Sequence, residues 1–111
     1  MGPVEQPDVI YKIVPAALWR DAEARGAFAG SPVDVQDGYI HFSTAGQVAE
    51  TARKHFAGQR DLLLVTVETT HLDLRWEPSR GGQLFPHLYA ALPMTAVRAV
   101  APFDAEHPVV S

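Results

Sequence analysis

Asp37-Gly38-Tyr39-Ile40-His41-Phe42-Ser43-Thr44-Ala45-Gly46-Gln47-Val48 changes its periodicity halfway along, and that change decides the fold. Up to Ser43 it reads as a turn and a short strand over 38–43. Alternate side chains of a strand point to opposite faces. Tyr39, His41 and Ser43 therefore share one face, and Ile40 and Phe42 share the other. From Thr44 the signals are helical. Thr44 is a good N-cap, and Gln47 three residues later completes a capping box. Val48, Thr51, Ala52, His55 and Phe56 then recur on one helical face, and Gly58 is the expected stop. A polar strand face thus runs directly into the amides of a helix N-terminus, an arrangement suited to a small molecule or a phosphate.

Working outward, Val9 to Val14 is rich in β-formers and predicts a first strand. Pro15 suits the first position of a helix running from Ala16 to Arg25, with Leu18, Trp19 and Ala22 at helical spacing and Gly26 as its stop. Ala29-Gly30-Ser31-Pro32 reads as a loop. Downstream, Leu62 to Val67 is almost continuously apolar, as expected of a strand buried on both faces. Leu72, Leu74 and Trp76 alternate with charged residues and predict a half-buried strand. Pro78 to Gly82 reads as a connection. Leu84 to Ala90 is a further strand that Pro86 assigns to an edge or an irregular position. Leu92 to Ala96 predicts one helical turn, and Val97 to Phe103 a last strand. The expected fold class is α+β: one compact domain over 9–103 with two helices beside mainly antiparallel sheet, a loose segment 1–8 and a tail 104–111.

Composition narrows the function. A chain of 111 residues is one domain's length, and 47% apolar with 20% charged residues is ordinary for a globular protein. It has no cysteine, which removes disulfides, thiolate nucleophiles and thiolate metal sites. The first six residues lack a basic region followed by an apolar run, so no signal peptide is expected. No apolar run approaches the roughly 20 residues that span a bilayer. The expected location is the cytoplasm, without a membrane partner. A formal net charge of −4, with basic residues scattered, argues against a duplex nucleic-acid surface.

The chemistry-bearing residues fall on two strands. Tyr39, His41 and Ser43 share one face, and Phe85, His87 and Tyr89 share another by the same period of two. If both faces line one cleft, two imidazoles, two phenols and a hydroxyl converge, the usual mark of a pocket. Histidine serves as general acid or base, and phenols stack on planar rings. The bland alternative is a pair of satisfied core histidines with tyrosines at a sheet boundary. Glu77, beside the Gly81-Gly82 loop, is the first candidate for a catalytic carboxylate, and Glu68 the second. A solvated charge alternating with Trp76 is the bland reading of Glu77. His41, His87 and Glu77 also form a potential facial triad for a metal, although no His-Glu-x-x-His spacing is present. A Ser-His-Asp hydrolase lacks its Gly-x-Ser-x-Gly elbow.

Asp37 to Thr44, Arg75-Trp76-Glu77 and Phe85-Pro86-His87-Leu88-Tyr89, with Ile10-Tyr11-Lys12-Ile13 upstream, together resemble the bacterial domain-of-unknown-function family numbered 952 over about residues 9–103. That family is grouped by fold with ADP-ribosyltransferases and is distantly similar to RNA 2′-phosphotransferases. The resemblance implies a split antiparallel α+β fold with a cleft between two small sheets where NAD or a related nucleotide binds. In the implied site His41 and Ser43 hydrogen-bond a ribose or amide, Tyr39 or Tyr89 stacks on the ring, and His87 and Glu77 steady the transferred group. Thr44 and Lys12 complete the ligand-binding candidates. Lys12 stands where such transferases often show His or Arg nearby. The rival is a non-catalytic binding or interaction module on the same fold, and the third reading is a metal-dependent enzyme using His41, His87 and Glu77.

Overall fold

The computed structural model describes residues 6–110. The chain opens with β1 (Val9–Pro15), α1 (Ala16–Arg25), β2 (Ala27–Phe28), α2 (Pro32–Asp37) and β3 (Ile40–His41). A 3-10 turn (Ala45–Gln47) leads into α3 (Val48–His55). Then come β4 (Leu62–Glu68), β5 (Leu74–Ser79), β6 (Gln83–Leu88), β7 (Leu92–Pro93) and β8 (Val97–Phe103). One antiparallel sheet runs β1-β4-β8, a second runs β3-β6-β5, and β2 pairs β7 in a two-residue ribbon.

The continuous apolar run of β4 has its expected cause. This strand is central, and its two faces serve two cores. Leu63, Val65 and Val67 join Ile10, Val14, Trp19, Phe28, Ile40 and Phe42 on one side. Leu62 and Leu64 join Tyr11, Ile13, Val48 and Ala52 on the other. β1 divides the same way, with Ile10 and Val14 in the first core and Tyr11 and Ile13 in the second. α1 buries Trp19 and Ala22, and Trp19 tilts against Phe28 with ring centroids 5.4 Å apart. It ends at Gly26, whose φ of 86° is the left-handed cap that glycine adopts without strain.

Several elements differ from the sequence expectation. Pro15 closes β1 and caps α1 instead of opening the helix, because β1 holds its register with β4 as far as Pro15↔Leu62. The loop expected at 29–32 runs into a third helix, α2, which starts at Pro32. β3 keeps only Ile40 and His41 of the strand expected over 38–43. Pro86 is central, because β6 lies between β3 and β5. A proline is tolerated there because β3 ends opposite it. The Phe42 amide donates to the Pro86 carbonyl at 3.0 Å, and proline has no N–H to return the bond. Pro78 and Ser79 belong to β5, not to a connection, and β6 stops at Leu88, short of Ala90. α3 stops at His55, before Gly58. Within the tail expected at 104–111, Ala105 is buried in the second core. Of the loose segment expected at 1–8, residues 1–5 lie outside the described residues, while the Pro7 and Asp8 carbonyls accept from the Thr69 hydroxyl.

Beyond Phe42 the chain leaves β6 and crosses to β1. Ser43 and Tyr11 exchange two backbone hydrogen bonds of 2.8 Å each, which stitches the second sheet to the free edge of the first. This stitch places the functional side chains.

Candidate functional site

Beside the Ser43–Tyr11 stitch, residues of both sheets line a cleft of about 600 Å³. That is the size range of small-molecule sites. β1 contributes Lys12 and Ile13, α2 contributes Val33, Asp34 and Asp37, and α3 contributes Thr51 and His55. The second sheet and its continuation contribute His41, Ser43, Phe85 and His87. Leu18, Pro32 and Phe56 extend the apolar wall.

The two histidines meet. His41 and His87 are register partners across β3 and β6, and their rings lie edge to face with centroids 5.2 Å apart. Each is held by carboxylates. His41 Nδ1 lies 2.6 Å from Asp34 Oδ1, and Nε2 lies 2.9 Å from Asp37 Oδ2. His87 Nδ1 lies 2.8 Å from Glu77 Oε1, and the Tyr89 hydroxyl donates to that same oxygen at 2.7 Å. His87 Nε2 is buried and has no hydrogen-bond partner among the described residues. The Tyr39 ring packs within 4.2 Å of the His87 ring centroid, 4.6 Å of His41 and 5.0 Å of Tyr89.

Asp34 is the electrostatic centre. It is 1% exposed, and its two oxygens accept from the Lys12 ammonium, the Ser31 amide and the His41 amide and ring. Burial works against its ionisation. The His41 hydrogen bond, the Lys12 charge and the Ser31 amide outweigh that and hold its pKa down at about 2, from an ordinary 3.8. Burial also lowers the Lys12 pKa, with the Asp34 charge and hydrogen bond pulling the other way. The Tyr89 and His87 hydrogen bonds hold the Glu77 carboxyl below its usual range. The Tyr89 phenol is pushed up by its bond to Glu77, and the Tyr39 phenol by burial and then by Asp37 and Glu77.

Gly30 makes room for Asp34. Its φ is 118°, and a Cβ there would stand 2.8 Å from the Asp34 Cβ. Gly30→Ala is therefore expected to cost about 1–3 kcal/mol in a urea melt and to shift the His41 ring resonances. An unchanged midpoint would show that α2 moves freely.

Of the residues expected to form a site, Lys12, His41, Ser43 and His87 line the cleft. Ser43 shares its hydroxyl with Thr51 at 3.0 Å. Tyr39, Glu77 and Tyr89 stand together behind His87 and are not among the described lining residues. Thr44 is a cap, its amide donating to Gln47 Oε1 at 3.0 Å, and is not in the lining either. Glu68 is remote from this group. It lies at the end of β4, part-exposed, in an ion pair with Arg98 at 2.6 Å. Among the described residues no three of His, Asp or Glu are placed to hold a metal ion. The cleft carboxylates Asp34 and Asp37 are additions that the sequence reading lacks. Their signal is Ser31-Pro32-Val33-Asp34, a capping box in acidic form with proline at the first helical position.

These features define a small α+β domain with antiparallel sheets and a histidine-bearing cleft. The chain belongs to the family described as Protein of unknown function (DUF952), whose model matches residues 13–100. The crystal structure of protein CC0527 from Caulobacter crescentus is 47% identical, covers 92% of this chain and 91% of its own, and superposes with a TM-score of 0.84. The solution NMR structure of CC0527 is 48% identical over 90% of each chain, with a TM-score of 0.78. No curated protein matches. No helix among the described residues is long and apolar enough to cross a membrane.

Proposed function

We propose that the cleft binds the nucleoside-type end of a nucleotide, with NAD as the leading ligand, and that His87 is its proton acceptor in a group transfer. The observation that carries this reading is the buried, unpartnered Nε2 of His87, a residue that lines the cleft. Donation from Nδ1–H to Glu77 leaves Nε2 as the lone-pair nitrogen. A buried polar atom without a partner costs about 1–3 kcal/mol, which a ligand N–H or O–H reaching it would recover. Leu18, Val33, Phe56 and Phe85 offer an apolar wall to a planar ring.

In the transfer, the bond from ribose to nicotinamide breaks and its electron pair neutralises the ring nitrogen. An acceptor hydroxyl bonds to the ribose carbon, and its proton passes to His87 Nε2. Positive charge develops on the ribose, so a carboxylate is needed beside it. Asp37, 40% exposed at its side chain, lines the cleft and supplies that charge, while Glu77 orients His87. The relation to the ADP-ribosyltransferase fold rests on the sequence motifs, and a cleft between two antiparallel sheets is in keeping with it.

NAD and ADP-ribose titrated by NMR are expected to move the His41 and Ser43 resonances. No movement at millimolar ligand sinks this reading. One observation favours the rival, a binding module without turnover: His87 is 2% exposed and its Nε2 is closed off from solvent. Binding without nicotinamide release, unchanged by Glu77→Gln, would decide for the rival.

A further inference from the structure

Every strong cation identified in the cleft wall is already committed. Lys12 Nζ lies 3.0 Å and 3.3 Å from the two Asp34 oxygens and donates to the His41 carbonyl at 2.8 Å. Two of the ammonium's three N–H bonds go to Asp34 Oδ1 and the His41 carbonyl, and Asp34 Oδ2 lies beside the same charge. Both His41 nitrogens face carboxylates. Asp37 is 40% exposed at its side chain and presents negative charge to whatever enters. An anionic group in the cleft would meet the Asp37 carboxylate, while Lys12, 9% exposed at its side chain, is already paired with Asp34. What is missing is a partner for the buried His87 Nε2, which accepts a hydrogen bond when Nδ1–H donates to Glu77.

We infer that the cleft selects an uncharged or cationic ligand that donates hydrogen bonds, and that a phosphate or carboxylate stays outside it. This deepens the small-molecule reading of the same site and rests on it. For a dinucleotide it places the pyridinium end beside Asp37 and the diphosphate beyond the cleft mouth.

Three ring compounds of nearly one shape test the charge rule: 1-methylnicotinamide, a cation; nicotinamide, neutral; and nicotinate, an anion. Titrated into the intact chain by NMR, the first two are expected to move His41, Ser43 and His87 resonances, and nicotinate to bind at least about tenfold more weakly. Asp37→Asn, at a half-exposed position, is expected to fold and to narrow that gap by roughly tenfold. Inorganic phosphate is expected to leave the same resonances in place. Nicotinate or phosphate binding as well as the cation overturns the charge rule while leaving a small-molecule site in place. Silence from all three ring compounds overturns both.

Discussion

Asp34→Ala is expected to destabilise the domain by about 3–5 kcal/mol, read as a lower urea midpoint. The reason is the charge left behind. Lys12 is 9% exposed at its side chain, and without Asp34 its ammonium keeps only the His41 carbonyl. Desolvating an ammonium without a counter-ion is the expensive half of a buried pair. The double variant Asp34→Ala with Lys12→Met is expected to recover much of the loss, because it removes both charges. A single variant as stable as the wild type would show that water reaches Lys12. The same carboxyl gives an acid limb. Its folded pKa of about 2 lies below the unfolded 3.8, so the unfolded chain binds the proton more readily. Its contribution, about 2 kcal/mol, is fully present above pH 4 and is lost as the pH falls through 2. In Asp34→Ala that part of the acid slope should be missing.

His87→Gln is expected to lower the rate of nicotinamide release by roughly 10²–10⁴-fold, the usual worth of a positioned general base. Binding of ADP-ribose should change far less, since the apolar wall remains. Glu77→Gln should fall between wild type and His87→Gln. The glutamine carbonyl still accepts from His87 Nδ1–H, but it brings no charge to steady the imidazolium formed on proton transfer. Thermal melts of each variant separate lost chemistry from lost fold. Equal release rates in wild type and His87→Gln would remove His87 from the reaction.

Local pattern made much of this readable. A strand repeats every two residues, so His41 and His87 could each be assigned a strand face without a structure; Tyr39 and Ser43 fall outside β3, and of these two only Ser43 lines the cleft. The apolar run from Leu62 to Val67 marked the central strand for a similar reason, since each face of β4 packs into a core. Pro86 misleads because its edge preference concerns the partner on its N–H side. Here that partner, β3, is two residues long. Glu77 and Tyr89 were legible as candidates but not as partners of one another and of His87, because those contacts depend on the pairing of β5 with β6.

By itself, then, the amino-acid order determined that β4 is buried on both faces, that Gly26 and Thr44 cap helical segments, and that the two histidines are candidates, since each is set by neighbours a few residues away. Tertiary structure alone decided that His41 and His87 share a register, and that Ser43 stitches two sheets at Tyr11. It also decided that Asp34 takes up the charge of Lys12. Those contacts join residues 22 to 46 positions apart, where burial and charge compensation act and sequence periodicity carries no information.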